Sequence, residues 1–404
     1  MNRIQVNFPS HCARIAARRL GLLAAALLMA AGTAQAAPTF TWLGDSSGRY
    51  SYALGVSADG STVVGYNTFP TEAFRWTSAS GMVGLGANSL AFGVSADGST
   101  VVGYRFSASP TEAFRWTSAG GMVGLGFPAG AYDSAAHGVS ADGSTVVGHG
   151  GNPRGFFTPS TTEAFRWTSA GGMFGLGHLW GGSSYAQGVS ADGSTVVGYN
   201  TVPARSEAFR WTSAGGMVGL GYLAGADSSY AQEVSSDGST VVGYSTMVGY
   251  NNAPARSEAF RWTSAGGMVG LGDLAGGSFV SYASGVSADG STVVGNGTSA
   301  SGPEAFVWDS TNGMRLLQDV LVNNYGLYLG GPSIRLFEAS GISGDGQVIS
   351  GYGTTALGNI EAWVVSLRGA QVSEPGVLVS LGLGALLMSG AMRRRLGRTD
   401  LPRA

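Results

Sequence analysis

The sequence predicts an all-β fold, and three observations carry this prediction. One pattern, G-V-S-A-D-G-S-T-V-V-G-Y followed by E-A-F-R-W-T-S-A-G-G-M-V-G-L-G, recurs with variations seven times along the 404 residues. Glycine contributes 68 residues and charged residues only 11%, which indicates many tight turns and little helical surface. Strand-like runs flank Asp-Gly and Gly-Gly pairs throughout the repeat, as in antiparallel hairpins.

Each repeat unit is predicted to form two hairpins, and therefore four strands. In the first unit, residues 53–57 and 62–66 flank the Asp-Gly turn, while residues 72–77 and 82–85 flank residues 78–81. The alternation in E-A-F-R-W places its Phe and Trp on one face of a half-buried strand. We expect the tryptophans to form the core between units, the series being Trp76, Trp116, Trp167, Trp211, Trp262, Trp308 and Trp363.

Four-stranded units of 38 to 56 residues, repeated seven times, predict a seven-bladed β-propeller of four-stranded antiparallel blades. A linear β-solenoid is the alternative, although its coils are usually shorter and more uniform. Residues 40–44 resemble a lone M-V-G-L-G strand, and the last unit ends after residues 361–365 without one. If residues 53–57 form the innermost strand, the N-terminal strand completes the last blade. If each blade begins at M-V-G-L-G, no such closure exists.

The two ends of the chain read as targeting segments, so the predicted domains are 1–36, 37–372 and 373–404. Three arginines, an apolar run over residues 20–31 and a closing Ala-Gln-Ala predict a signal peptide cleaved after Ala36. The single cysteine, Cys12, lies inside this segment, so the mature chain would contain no disulfide. We expect an exported protein.

The C-terminal segment has three parts: Ser373, Glu374 and Pro375, then an uncharged stretch over residues 376–392, then Arg393–Arg395. This layout resembles the PEP-CTERM sorting signal of bacterial proteins processed by exosortase, although the motif here is Ser-Glu-Pro. The resemblance implies a C-terminal hydrophobic transmembrane helix and an exosortase-like sorting enzyme as partner. A simple membrane anchor is the alternative. In both cases the repeat domain faces outward, at the cell surface or in the extracellular matrix.

Charge counts exclude several functions. Residues 37–372 contain 13 Arg against 22 Asp and Glu, a net charge of about −9, which disfavours nucleic acid as a partner. All 22 basic residues are arginine, so chemistry that needs a lysine Schiff base is excluded.

Variation in loop length falls on one predicted face. The Asp-Gly and Gly-Gly turns keep their length, whereas the connections from the second to the third strand and from the fourth strand to the next unit grow. These connections share one end of the antiparallel strands, which we call the variable-loop face. Insertions concentrated on one face of a repeat array are typical of a binding surface. Packing of loop aromatics without any ligand is the alternative interpretation. The ligand-binding candidates on this face are Arg154, Phe156, Phe157, Trp180, Tyr185, Arg205, Tyr222, Tyr230, Arg256 and Tyr282.

The repeated acidic residues are predicted to be structural. Asp in an Asp-Gly turn accepts hydrogen bonds from local backbone donors, and no series of calcium ligands accompanies it. The Glu of E-A-F-R-W opens a strand and is expected to pair with an Arg of a neighbouring unit.

His137, His149 and His178 replace variable residues near the variable-loop face, and a three-histidine metal site is one hypothesis for them. No catalytic residues stand out from the repeat background, and we assign no cofactor and no metal ligand. The longest insertion is expected to carry one short helix at residues 318–325.

The repeat units resemble the extracellular HAF repeats of bacteria, in which G-I-S-A-D-G and V-V-G precede H-A-F-R-W-T, G-G-M and L-G. The match runs over residues 40–365, and the histidine of H-A-F is glutamate in all seven copies here. A role of that histidine in relatives therefore does not transfer. The resemblance implies an exported repeat protein and adds no catalytic residues.

Together these observations favour a non-enzymatic surface or extracellular-matrix protein that binds exopolysaccharide or a protein partner through its variable-loop face. The alternative is a propeller-type polysaccharide hydrolase or lyase. Acidic residues of the variable loops, such as Asp133, Asp227 and Asp273, would then converge on the central channel.

Overall fold

The computed structural model describes residues 37–44, 50–106, 110–152, 161–247 and 256–368. These ranges contain 28 strands and one short helix, α1 (Leu317–Asn323), which confirms the all-β prediction and the expected helix. No helix within them is both long enough and apolar enough to cross a membrane. The proposed signal peptide, the Ser373–Pro375 motif and the C-terminal hydrophobic segment lie outside the described residues.

The strands take four positions within the repeat. First-position strands are β2 (Ser51–Val56), β6 (Ser89–Val94), β10 (Asp133–Val139), β14 (Ser183–Val189), β18 (Ser228–Val234), β22 (Gly276–Val286) and β26 (Arg335–Ile342). Second-position strands are β3 (Thr62–Asn67), β7 (Thr100–Arg105), β11 (Thr145–Gly151), β15 (Thr195–Val202), β19 (Thr240–Met247), β23 (Thr292–Ser299) and β27 (Val348–Thr354). Third-position strands are β4 (Glu72–Thr77), β8 (Glu112–Thr117), β12 (Thr162–Thr168), β16 (Arg205–Thr212), β20 (Arg256–Thr263), β24 (Gly302–Asp309) and β28 (Ile360–Ser366). Fourth-position strands are β5 (Gly81–Ala87), β9 (Gly121–Gly124), β13 (Gly172–Gly175), β17 (Gly216–Gly219), β21 (Gly267–Gly270), β25 (Gly313–Leu316) and, from the N-terminal end, β1 (Thr39–Trp42).

Antiparallel pairing joins consecutive positions. Five sheets have four strands each: β2–β5, β6–β9, β10–β13, β14–β17, and β26 to β28 followed by β1. An eight-stranded sheet contains the corresponding sets β18–β21 and β22–β25, which a single parallel bridge between Ser257 and Val280 connects. The predicted four-stranded antiparallel units are therefore confirmed.

The Asp-Gly turns are built as the sequence indicates. Gly60 has φ +72°, a left-handed conformation that glycine adopts without steric cost. The Asp59 carboxylate accepts hydrogen bonds from the Ser57 hydroxyl at 2.5 Å and from the Ser61 N–H at 2.9 Å. The Thr62 N–H donates to the Ser57 Oγ at 3.0 Å. The Asp59 and Ser57 side chains thus accept hydrogen bonds from backbone N–H groups that the turn would otherwise leave unpaired. This requirement explains why the turn keeps the same length in every unit.

A series of backbone hydrogen bonds joins these turns around a common axis. The Ala96 N–H donates to the Ala141 oxygen at 3.0 Å, and the Ala288 N–H donates to the Gly344 oxygen at 3.0 Å. The Gly344 N–H donates to the Ala58 oxygen at 2.9 Å, which returns the series to the first turn. The donors in chain order are Asp59, Ala96, Ala141, Ala191, Ser236, Ala288 and Gly344.

Phenylalanine, rather than tryptophan, forms the core between neighbouring sheets. Phe209 is fully buried and packs among Val147, Ala186 and Val196, whereas Trp211 is half-buried at the margin of the same cluster. In the last unit Trp363 takes the phenylalanine position and is fully buried. The first six tryptophans therefore pack against these clusters as predicted, but at their margins, and only Trp363 is fully buried. The larger indole lies closer to the Gly-Gly turn, where the sheets leave more of it exposed.

Arginine and glutamate make different contacts from those expected. The Arg166 Nε donates to the Gly193 oxygen of the next Asp-Gly turn at 3.1 Å, and its Nη2 donates to the Thr145 hydroxyl at 3.1 Å. The Glu163 Oε1 accepts from the Gly177 N–H at 2.9 Å, just beyond the fourth strand of its own sheet. The Glu residues of the second to fifth units share this pattern, so the predicted pairing with an arginine of a neighbouring unit does not describe them. Glu112 pairs with Arg105 of its own unit, whereas Glu304 of the sixth unit lies 3.9 Å from Arg335 of the seventh, as predicted. In the first five units the Arg of E-A-F-R-W instead links neighbouring sheets, because its Nε donates to a glycine oxygen of the next Asp-Gly turn.

The N-terminal strand closes the last sheet. β1 pairs with β28 in antiparallel register, with Trp42 opposite Trp363. The Leu43 N–H continues the ladder to the Ala362 oxygen at 2.7 Å. This settles the two alternatives in favour of a unit that begins at the first-position strand. Strand β1 also packs on the largest core cluster, to which α1 contributes Leu317 and Leu321.

Candidate functional site

The first-position strands enclose a central channel. The channel is a cavity of about 180 Å³ lined mainly by backbone and small side chains, such as Gly55, Gly93 and Ser340. Every first-position strand contributes to this lining. Each of these strands has a β-bulge in its second half, where one extra residue interrupts the pairing with the second-position strand. Bulges of this kind re-aim side chains, and here they lie beside the channel.

Twelve rings form a belt around the variable-loop end of the channel. Within one sheet the rings are stacked, as for Tyr185 and Tyr199 at 5.0 Å and 22°. Between sheets they meet edge to face, as for Tyr199 and Tyr230 at 5.0 Å and 68°. Both geometries are favourable for aromatic pairs. We call this set the aromatic belt: Tyr52, Tyr66, Phe92, Tyr104, His137, His149, Tyr185, Tyr199, Tyr230, Tyr244, Tyr282 and Tyr352.

Strand register explains the position of the belt. Tyr52 is the second residue of β2, so it lies at the strand end opposite the Asp-Gly turn, and it pairs with Tyr66 of β3. The same register pairs Tyr230 with Tyr244. In the second sheet the ring comes instead from the bulge residue, Phe92, two positions later. All twelve rings are half-buried, so each presents a fixed surface that a ligand can still reach.

The belt is largely uncharged at neutral pH. Burial raises the pKa of Tyr199 to about 12, and it raises the pKa of Tyr244 as well. Burial, together with the neighbouring His149, lowers the pKa of His137 to about 3. Burial also lowers the pKa of His149 to about 4, although the nearby Asp133 carboxylate opposes this shift. Tyr199 and Tyr244 therefore keep their protons, and the two imidazoles stay neutral.

Ring contacts of the belt are interrupted between Tyr66 and the rings of the second sheet, and again between Tyr282 and Tyr352, where polar side chains stand. Glu338 stands opposite Tyr352 in the strand register, and its carboxylate accepts hydrogen bonds from the Tyr352 hydroxyl at 2.8 Å and the Ser284 hydroxyl at 3.2 Å. Asn296 stands opposite Tyr282, where most other units have a tyrosine. Burial and the Glu338 carboxylate both raise the pKa of Tyr352. We call Ser284, Asn296 and Glu338 the acidic gap.

The predicted ligand-binding residues divide into three groups. Tyr185, Tyr230 and Tyr282 are members of the aromatic belt. Arg154, Phe156 and Phe157 lie outside the described residues. The remaining predicted residues form smaller contacts on the same face: Trp180, Arg205, Tyr222 and Arg256.

Those smaller contacts are specific pairs. The Arg205 guanidinium lies over the Trp180 ring at 4.4 Å, and Trp180 is 48% exposed. Arg256 lies 5.8 Å from the centre of the Phe279 ring. The Tyr222 hydroxyl donates to Glu207 at 3.1 Å. These side chains form a rim outside the aromatic belt.

Sequence reasoning missed the second-position tyrosines. Tyr66, Tyr104, Tyr199, Tyr244 and Tyr352 all follow the V-V-G or I-S-G of their strand. This recurrence was visible, and hairpin register would have placed each residue opposite a first-position side chain. Their contacts with the next sheet depend on how the sheets are arranged.

Within the described residues, the histidines do not form a three-ligand metal site, and the candidate acidic residues do not meet at the channel. His137 and His149 stack at 5.1 Å, but no group of three or more His, Cys, Asp or Glu in these ranges lies close enough to hold a metal ion. The Asp133 carboxylate accepts from the Gly151 N–H at 2.8 Å. Asp133, Asp227 and Asp273, which are all described, do not line the channel.

Comparison with known proteins identifies the fold. An oligogalacturonate lyase from Vibrio parahaemolyticus is 11% identical, with a TM-score of 0.55 over 82% of this chain and 97% of the lyase. The β-propeller domain of the trilobed protease from Pyrococcus furiosus, described as having an open Velcro topology, is 10% identical, with a TM-score of 0.53 over 80% of this chain and 96% of that domain. The fold is a β-propeller. Unlike an open arrangement, this propeller has its last sheet completed by β1.

Other comparisons give no further assignment. TolB from Acinetobacter baumannii is 13% identical, with a TM-score of 0.43, and the chain spans 62% of TolB's length. No protein-family model matches the chain, and no curated protein matches it. Sequence identities this low establish the fold of the propeller and no activity.

Proposed function

We propose that this chain is a non-enzymatic exported surface or matrix protein, a seven-bladed propeller that binds exopolysaccharide at its variable-loop face. The aromatic belt around the channel mouth is the observation that carries the proposal. A protein partner at the same face is the competing ligand, and the experiment below separates the two.

Closure into seven blades is supported by the contacts between turns. Each of the 28 strands belongs to a set of four, and the hydrogen-bond series that starts at Asp59 returns through Gly344 to Ala58. Pairing of β1 with β28 ties the two ends of the propeller domain together. A closed ring leaves only short fourth-position strands as edges, which suits a protein that works at high concentration outside the cell.

The belt has the chemistry that sugar recognition requires. Aromatic faces pack against the C–H surfaces of sugar rings, and tyrosine hydroxyls at the ring margin exchange hydrogen bonds with sugar hydroxyls. Because the stacked and edge-to-face contacts fix every ring, little side-chain entropy is lost when a ligand binds. Trp180, held under Arg205, adds an exposed aromatic surface at the rim.

The cellular location is a proposal that rests on the sequences of the two chain ends. Cleavage after Ala36 would export the propeller, and the Ser373–Glu374–Pro375 motif with its hydrophobic stretch would hold it in the membrane until an exosortase-like enzyme acts. Release into the matrix would then place the variable-loop face among surface polymers.

A glycan array and a pull-down with exopolysaccharide from the producing cell test the proposal. The variants are Tyr185→Leu and Tyr230→Leu, which keep an apolar side chain but remove the aromatic face. Tyr328→Leu is the matched control, because Tyr328 is 82% exposed in a loop of the same face and lies outside the belt. We expect both belt variants to lose binding and the control to keep it.

The opposite results have distinct meanings. Folded wild-type protein that captures no glycan, but captures a defined surface protein, would replace the polysaccharide with a protein partner. Release of shortened oligosaccharides from the captured polymer would restore the enzymatic alternative.

A further inference from the structure

The acidic gap makes one sector of the aromatic belt chemically different from the rest, because a carboxylate stands there. At the position of Glu338 the other first-position strands carry tyrosine, leucine or alanine, so this carboxylate is particular to one unit. Its hydrogen bonds reach Ser284 on β22 and Tyr352 on β27. The carboxylate is thus held between two neighbouring sheets, beside the channel that Ser284 also lines.

The electrostatic surroundings of Glu338 favour a positive ligand. The belt itself contains no arginine, and both of its imidazoles are neutral because burial lowers their pKa values. The nearest arginine in sequence, Arg335, directs its guanidinium to the Ser301 oxygen and, at 3.9 Å, to the Glu304 carboxylate. Tyrosine faces add the negative side of their ring quadrupoles.

We propose that the acidic gap and the tyrosines beside it, Tyr52, Tyr282 and Tyr352, bind the protonated amine of an amino sugar. A carboxylate close to tyrosine rings can recognise an ammonium group, through one ion pair and cation–π contacts. The uncharged remainder of the belt stacks on the sugar rings on either side. Uronic acids are disfavoured, since their carboxylates would approach Glu338. This inference rests on the proposed function and names the class of polymer.

Calorimetric titration with oligomers of glucosamine and of N-acetylglucosamine tests the inference, in mildly acidic buffer where the free amines are protonated. Acetylation removes the charge and leaves the sugar ring in place. We expect the wild-type protein to bind the glucosamine oligomer about tenfold more tightly. Glu338→Gln should abolish that preference while leaving the affinity for the acetylated oligomer unchanged, because glutamine still accepts hydrogen bonds from Tyr352 and Ser284.

Two further variants keep the test decisive. Glu233→Gln replaces the acidic side chain that lines the channel outside the belt, and it should leave the preference intact. Asn296→Asp adds a second carboxylate to the acidic gap, so it should strengthen the preference even if Glu338→Gln does not fold. Equal affinities for both oligomers in wild type and in Asn296→Asp would overturn the amine site while leaving glycan binding in place. Failure of folded protein to bind either oligomer, or any other glycan, would overturn the proposed function itself.

Discussion

The Glu233 carboxyl lies beside Gly188 of the neighbouring first-position strand, with its Oε1 2.8 Å from where a Gly188 β-carbon would stand. Glycine occupies the position of Glu233 in the other six units, at Gly55, Gly93, Gly138, Gly188, Gly285 and Gly341. Burial of the carboxyl group raises the pKa of Glu233 to about 7, although the Val234 N–H, which donates to Oε1 at 2.9 Å, opposes the shift. One glutamate thus occupies a channel otherwise lined at this level by backbone.

Glu233 should make the stability of the protein depend on pH. Its pKa is higher in the folded than in the unfolded protein, so a bound proton stabilises the fold. That contribution is complete below the ordinary value of 4.5 and is lost as the pH rises to about 7, reducing the free energy of unfolding by about 3 kcal/mol. Urea denaturation across this range measures the slope, and Glu233→Gly, the residue of the other units, should flatten it. Identical slopes in the two proteins would contradict the assignment.

Phe209 should contribute more to stability than Trp211. Phe209→Ala empties a fully buried position between two sheets and should cost about 3–5 kcal/mol, whereas Trp211 is half-buried and its replacement by alanine should cost less. Chemical denaturation of the two variants measures both free energies. A larger loss at Trp211 would restore the tryptophan core that the sequence predicts.

The arginine contacts between sheets should be measurable at Arg166. Arg166→Leu leaves the Gly193 oxygen and the Thr145 hydroxyl without this donor and should lower the free energy of unfolding by about 1–3 kcal/mol. Arg105→Leu is the control, because Arg105 pairs with Glu112 at a side-chain exposure of 41% and such surface ion pairs contribute about 0–1 kcal/mol. Thermal or urea unfolding compares them, and equal losses would count against a specific role for the inter-sheet contact.

Tyr199 should ionise at a higher pH than an exposed tyrosine. The pKa of Tyr199, raised by burial to about 12, means that neutral Tyr199 stabilises the fold below the usual value near 10 and that this contribution is lost as the pH rises towards 12. Ultraviolet absorbance titration of the folded protein should show a late component that Tyr199→Phe reduces. The same change at the exposed Tyr328 should leave that component in place. A titration curve unaffected by Tyr199→Phe would show that this ring is solvated.

Local sequence was sufficient to predict the strands and turns. The Asp59-Gly60 turn needs a left-handed glycine and a side chain that accepts nearby N–H groups, and both requirements are met by adjacent residues. The lone strand predicted at residues 40–44 and the unit that ends without a fourth strand are also visible in the sequence, but they leave two closures possible. Only the pairing of Trp42 with Trp363 showed which one the chain adopts.

The candidate site was predicted only in part. Tyr185, Tyr230 and Tyr282 were found because they vary among the units, whereas their partners on the second-position strands recur and resembled framework residues. No residue next to Glu338 in the sequence marks it as part of a site, and Ser284, whose hydroxyl donates a hydrogen bond to it, is 54 residues away.

The sequence by itself determined the repeat, the hairpins within each unit and the face on which the loops vary, because turns and strand alternation depend on residues a few positions apart. Contacts between sheets determine that phenylalanine fills the centre of each core cluster, that arginine donates to the next turn, and that rings from most successive sheets meet in the belt. Those contacts depend on how neighbouring sheets are placed around the channel, and that placement is fixed by packing between residues distant in the chain.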